Sequence, residues 1–351
     1  MKAHTSSTVA QGTRRVAGTA AHRAGLPRIA VLGTGGTIAS SGGSATQLHD
    51  YDVTATLGEV LSAVPQLGEI ASISGEQLFN IASHDIDNAM LLSIARRVNA
   101  VLDDPEIDGV VLTHGTDTLE ETAYFLNLVL KSNKPVVLVG AMRPASALSA
   151  DGPLNLYNAV LVATAPAARN KGVLVLLNDR IVAARHAAKR HTTGTDAFRT
   201  PEYGALGEVS AGVVRFLCAP LLSHTTATDF SVGQIDDLPL VDIIYDHQSA
   251  RSHFYQSAIA AGARGIVLAA TGNGSLSVAA RAGALEARQH GVRVVRASRV
   301  GDGTVTPLSE DEALQTVAAN SLNPQKARIL LMLALTRTSD FRAIQRYFDT
   351  C

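Results

Sequence analysis

The sequence predicts an α/β protein of two domains: a larger N-terminal domain on a mainly parallel sheet flanked by helices, and a smaller C-terminal α/β domain. Three observations carry that expectation. The 351 residues suffice for about two cores at roughly 150 residues each. Short apolar, β-rich runs recur along the chain, and between many of them lie longer stretches with helical spacing. Such apolar strands suit a parallel sheet, which is covered by helices on both faces.

The elements follow in chain order. Residues 1–27 are rich in Ala, Thr, Ser, Gly and Arg and hold no run of about 7–15 consecutive apolar residues, so they read as a disordered extension rather than a secretory signal. A cytoplasmic protein is expected, with the periplasm as the alternative. Strands are expected at Arg28–Gly33, Gly109–Thr113, Pro135–Gly140, Gly172–Leu177, Leu240–Tyr245, Gly265–Ala270 and Val292–Arg296. A helix is expected over 119–131, where Leu119, Thr122, Ala123, Leu126 and Leu130 share one face. Asp87 or Asn88 suits the cap of a helix reaching Leu102, and Asn323-Pro324 supplies N-cap and first-turn chemistry for another. Residues 220–238 are polar and lack a sustained period. They read as a linker between domains at 28–219 and 239–351.

Composition excludes several function classes. Hydrophobic residues at 46% with charged residues at 17% exclude general disorder. No apolar run approaches the roughly 20 residues of a membrane helix. With 30 Lys and Arg against 31 Asp and Glu, the chain presents no basic field for nucleic acid. Cys218 and Cys351 form neither a disulfide framework nor a metal-ligand pattern, and the histidines form no H-E-x-x-H array, so no metal is required.

Three strands run directly into Thr/Gly turns: Leu32-Gly33-Thr34-Gly35-Gly36-Thr37, Leu112-Thr113-His114-Gly115-Thr116-Asp117-Thr118 and Ala270-Thr271-Gly272-Asn273-Gly274. In parallel α/β sheets such turns lie at the carboxyl edge, where ligands bind. A dinucleotide fingerprint fails because Ile38 stands where the third glycine belongs, and no Gly-Lys-Ser/Thr follows, so no cofactor is expected. A threonine hydroxyl needs a partner that removes its proton. Thr37 and Thr116 are the candidates, with Asp117, Lys189, Tyr51 and His114 as possible activators, and spacing alone does not choose among them. Ordinary readings stand beside these: Thr37 as a turn residue, Thr116-Asp117 as a helix cap, Lys189 on a solvated basic face.

Residues 29–39 (IAVLGTGGTIA) and 113–123 (THGTDTLEETA) resemble the two signatures of bacterial asparaginases and glutaminase-asparaginases. The stretches 135–144 (PVVLVGAMRP), 149–159 (SADGPLNLYNA) and 322–328 (LNPQKAR) extend the resemblance over about 28–345. The resemblance implies two α/β domains and a homotetramer with active sites between paired subunits. It implies hydrolysis of L-asparagine, and perhaps of L-glutamine, through an acyl-enzyme on Thr37 assisted by Tyr51. Thr116, Asp117 and Lys189 match the second hydroxyl–carboxylate–amine set. Ser83 matches a ligand of the substrate carboxylate, and Asn273 the residue offered by a neighbouring subunit. An amidase subunit of a tRNA-dependent amidotransferase shares this catalytic unit and is the runner-up; a non-catalytic amino-acid sensor is the third reading.

Two departures stand out. Where the family usually has Gln or Glu after the serine, this sequence has His84, an imidazole that gains a proton in mild acid and would then repel a substrate ammonium. The neighbouring-subunit glutamate has no clear counterpart, since alignment falls near Leu308 with Glu310 two positions on.

Overall fold

A computed structural model describes residues 14–16, 25–200 and 202–351. Its larger sheet has nine strands in the order Arg14–Val16, Ser72–Ile81, Arg28–Gly35, Gly109–Thr113, Val136–Val139, Val173–Leu177, Arg180–Ala183, Gly207–Ser210 and Val213–Phe216. From Ser72–Ile81 to Val173–Leu177 every pairing is parallel, and beyond that the sheet turns antiparallel. The smaller sheet is wholly parallel: Val241–Tyr245, Gly265–Ala270, Arg293–Ser298 and Thr316–Ala318. Together they make the two α/β units that the sequence predicts.

The central strands form where the sequence is apolar throughout. Gly109–Thr113, Val136–Val139 and Val173–Leu177 are buried at every position, as strands with helices on both faces must be. Each large aliphatic side chain so buried stabilises the fold by about 1.5–3 kcal/mol. Helix starts follow their caps. Asp87 accepts from Met90 N at 2.8 Å and opens Asn88–Leu102; Asn323 accepts from Lys326 N at 3.1 Å and opens Pro324–Leu335. The helix expected over 119–131 ends at Val129, because residues 130–135 leave helical geometry to feed the next strand.

Several expectations shift. Ser72–Ile81, the longest strand, did not show as an apolar run: its SISGEQLFNI pattern is half polar and most of its positions are only half-buried. Its outer edge is covered by Arg14–Val16 in antiparallel register, which corrects, for those three residues, the disordered extension expected over 1–27. An unpaired strand edge leaves backbone donors and acceptors open, and this pairing closes them. Most of the remaining extension lies outside the described residues. The 220–238 stretch, although polar, buries Phe230, Val232, Ile235 and Leu238 in the main core.

That core is continuous across both units. The helix Pro324–Leu335 packs on Leu119–Val129 of the larger unit. At the seam Glu120 accepts from Asn323 Nδ2 at 2.7 Å and pairs with Lys326 Nζ at 3.3 Å, both charges almost fully buried. Removing one partner of such a pair typically costs about 3–5 kcal/mol. The contact fixes the start of the helix that follows the Thr116 turn.

Candidate active site

The strands Arg28–Gly35 and Gly109–Thr113 are adjacent and parallel, so the turns that follow them emerge side by side at the carboxyl edge. Gly35 and Gly36 both have positive φ, at 97° and 82°. At Gly36 a Cβ would overlap the backbone of Gly115, so only glycine lets the two turns touch. Thr37 opens the short 3-10 turn Thr37–Ala39 immediately afterwards.

Thr37 Oγ1 lies 3.1 Å from the Tyr51 hydroxyl, and both residues are half-buried. Tyr51 is delivered by a hairpin. Ser40–Ser41 pairs antiparallel with Asp52–Val53, and the intervening loop is tied down by Gly42 N to Ser146 Oγ (2.8 Å) and Leu148 N to Ala45 O (2.9 Å).

The second turn is wired differently. Thr116 is 5% exposed, and Lys189 Nζ donates to its Oγ1 at 2.9 Å and to Asp117 Oδ1 at 2.6 Å. Lys189 arrives from 73 residues away on the two-residue strand Ala188–Lys189, paired antiparallel with Phe198–Arg199. The Lys189 hydrogen bond holds the Asp117 carboxyl below its usual range against the opposing effect of burial. The helix cap expected at Thr116-Asp117 is displaced to Thr118, and the side chains of Thr116 and Asp117 turn instead to Lys189.

Ser83 closes the group. It is buried, Thr118 Oγ1 donates to its carbonyl at 2.8 Å, and its Oγ lies within 2.7 Å of where a Gly115 Cβ would stand. His84 follows with its ring exposed, Nδ1 3.5 Å from Asp117 Oδ2. Thus Thr37, Tyr51, Ser83, His84, Thr116, Asp117 and Lys189 are linked through the two touching turns. Asn273 is not part of this group within the chain: in the smaller unit its Oδ1 accepts from Thr306 N at 2.9 Å and its Nδ2 donates to Thr306 Oγ1 at 2.7 Å. Glu310 is held by Arg281 at 2.7 and 3.0 Å, and the backbone of Leu308 donates to Asp311.

His114, one of the activators left open by spacing, is spent on structure. Its Nδ1 lies 2.7 Å from Gly115 O and must donate, so the neutral ring accepts at Nε2 from Thr122 Oγ1 at 2.9 Å. Complete burial pushes its pKa down to about 4 and keeps it neutral. The sequence reading missed Asp151. Its carboxylate accepts from Met142 N and Arg143 N, both at 2.9 Å, and fixes the loop after Val136–Val139. The Ala-Asp-Gly-Pro run at a helix start was the available signal, but it reads as a cap.

Among the described residues no cluster of three or more His, Cys, Asp or Glu is arranged to hold a metal, and no helix is long and apolar enough to cross a membrane.

Residues 28–221 match the asparaginase N-terminal domain family, and residues 240–348 match the glutaminase/asparaginase C-terminal domain family. L-asparaginase 2 of Bacillus subtilis is 51% identical over 341 residues, covering 97% of this chain and 91% of that protein. A glutaminase-asparaginase of Pseudomonas fluorescens is 45% identical over 327 residues, 92% of this chain and 90% of its own. The crystal structure of a probable cytoplasmic L-asparaginase from Campylobacter jejuni superposes with a TM-score of 0.91 at 45% identity, covering 93% of this chain and all of that one. With both domains matched in order and relatives this similar along nearly their whole length, the chain belongs to the glutaminase/asparaginase family of amidohydrolases.

Proposed function

We propose that the protein hydrolyses L-asparagine to L-aspartate and ammonia through an acyl-enzyme on Thr37. The observation that carries this reading is the contact of the Gly36 and Gly115 turns. It sets one hydroxyl beside a phenol and a second beside an amine, all at one sheet edge. Thr37 Oγ attacks the side-chain amide carbon while its proton leaves toward Tyr51. Backbone N–H groups of the turns face the oxygen as it gains charge, and loss of one such donor typically costs about 10²–10³ in rate. The amide nitrogen takes up a proton and departs as ammonia. Water then attacks the ester, Thr37 recovers its proton, and aspartate is released.

Thr116, Asp117 and Lys189 serve the proton transfers and hold the substrate. Asp117, kept ionised by Lys189, suits the α-ammonium group; Ser83 and the turn N–H groups suit the α-carboxylate. His84 tunes the pocket beside Asp117. Asn273 acts in a neighbouring subunit's site within a homotetramer. L-Glutamine is a second substrate, a reading supported by the likeness to the Pseudomonas fluorescens enzyme. A cytoplasmic location is supported by the description of the Campylobacter jejuni protein.

The test is ammonia release from asparagine and glutamine by wild type and Thr37→Ala. Asparagine turnover that collapses in the variant supports the reading. Comparable glutamine turnover makes the enzyme a glutaminase-asparaginase. No release from either amide without tRNA overturns it in favour of an amidotransferase subunit or a sensor.

A further inference from the structure

Behind Lys189, on the far side of its strand, a narrow cavity of about 30 Å³ opens to solvent between the two units. Its lining is rich in cations: Arg185, Arg190, Arg199 and Lys326, against Glu202 and Asp302. Three of the cations are already matched. Lys326 pairs with Glu120, Arg190 with Asp302 and Arg199 with Asp196. Among the described residues Arg185 has no acidic side chain against it, although it is only 7% exposed. Its Nε donates to an oxygen of Cys351, the last residue of the sequence, and its Nη1 to Ser321 Oγ, both at 2.8 Å, while Nη2 has no partner among the described residues. Arg190 Nε, on the same cavity, is likewise buried without a partner.

Buried guanidinium N–H groups without acceptors are costly, and a group that supplies oxygen atoms and negative charge removes the cost for both. His186, stacked on Tyr203 at 4.1 Å, is held neutral by burial and by the positive charge of Arg185 and Lys326. The two unpartnered groups, Arg185 Nη2 and Arg190 Nε, belong to residues lining one concave space and suit two oxygens of a single small oxyanion.

We propose that this cavity is a binding site for one small oxyanion, a phosphate or a carboxylate, held by Arg185 and Arg190. The site spans the seam between the units. Arg185 and Arg190 come from the larger unit, while Ser321 and the Gly301-Asp302-Gly303 loop, whose Gly301 carbonyl accepts from Arg190 Nη2 at 2.7 Å, come from the smaller. Occupancy therefore braces the short strand that carries Lys189, since Ala188 and Arg190 on either side of that lysine both line the cavity.

The experiment is thermal unfolding of the full chain titrated with inorganic phosphate, with sodium chloride at matched ionic strength as the reference. L-aspartate forms a second arm. Saturable stabilisation is expected, about 2 °C for each tenfold excess over Kd in a chain of this size. The phosphate response should vanish in Arg185→Gln and Arg190→Gln, each read against its own anion-free midpoint, and persist in Ser83→Ala. Stabilisation by phosphate above aspartate identifies a free inorganic anion as the ligand; the reverse order, still lost in both arginine variants, identifies a carboxylate such as the reaction product. Responses to both phosphate and aspartate that match chloride or persist in both arginine variants, or loss of the phosphate response in Ser83→Ala, would overturn the proposal.

Discussion

The two threonine turns share a strand, a glycine and a hydroxyl, yet their surroundings differ in kind. Thr37 is half-buried, and among the described residues its hydroxyl bonds only to the Tyr51 phenol at 3.1 Å, on a hairpin that begins three residues later. Thr116 is almost fully buried, and its hydroxyl is fixed by an amine from 73 residues away that is also bound to Asp117. The first environment leaves a hydroxyl accessible with a neutral neighbour; the second locks one into a charged network. A nucleophile needs access and a route for its proton, and the locked hydroxyl is better suited to holding and relaying. Similar turns thus come to different surroundings because of what long-range folding brings to each.

The sharpest way to break that comparison is to remove each hydroxyl. Thr37→Ala should lower kcat for asparagine by about 10³-fold or more, measured as ammonia release, because the covalent step is lost. A loss of similar size from Thr116→Val alone, with Thr37→Ala nearly active, would reverse the roles. Lys189→Met comes next. It strips the network from Thr116 and should cost roughly 10²–10³ in kcat, with Asp117 titrating closer to the ordinary carboxylate range in NMR. Tyr51→Phe, which leaves Thr37 without its phenol, should cost roughly 10–10² in kcat with the fold unchanged by circular dichroism.

His84→Gln sharpens the second environment. Protonation places an imidazolium 3.5 Å from Asp117 Oδ2, where it competes with a substrate ammonium. Wild-type kcat/KM should therefore fall on mild acidification more steeply than that of the variant, and equal pH profiles would remove His84 from the account.

The smallest effect concerns the helix after Thr116. Burial pushes Glu121 from 4.5 up to about 7, with Arg328 opposing. A carboxyl whose folded pKa is raised contributes stability that is complete below about 4.5 and is lost as pH rises through about 7. Replacing it with Gln should flatten that loss, raising stability at pH 8 by about 1–3 kcal/mol relative to wild type while changing little at pH 4. Denaturant titration at the two pH values measures the difference.

Much of the fold was legible because its central strands are apolar runs bounded by glycine and its helices carry ordinary caps. Gly109–Thr113 and Gly265–Ala270 fall where expected, and Asp87 and Asn323 cap as expected. Ser72–Ile81 was not legible: its half-polar pattern satisfies partners such as Arg97, which binds Glu76 at 2.8 Å, rather than an apolar layer. Around the site, the glycines of the two turns announced close approach, but no spacing rule could join Lys189 to Thr116 or exclude His114. Those outcomes depend on a short strand pairing with Phe198–Arg199 and on a buried imidazole whose two nitrogens are already engaged.

The most direct test of the division between the two turns is to mix Lys189→Met enzyme with asparagine, quench in acid during turnover, and locate any acyl group by peptide mass spectrometry. An aspartyl ester on the peptide containing Thr37 is the predicted result. An ester on the peptide containing Thr116, with Thr37 unmodified, would contradict the account.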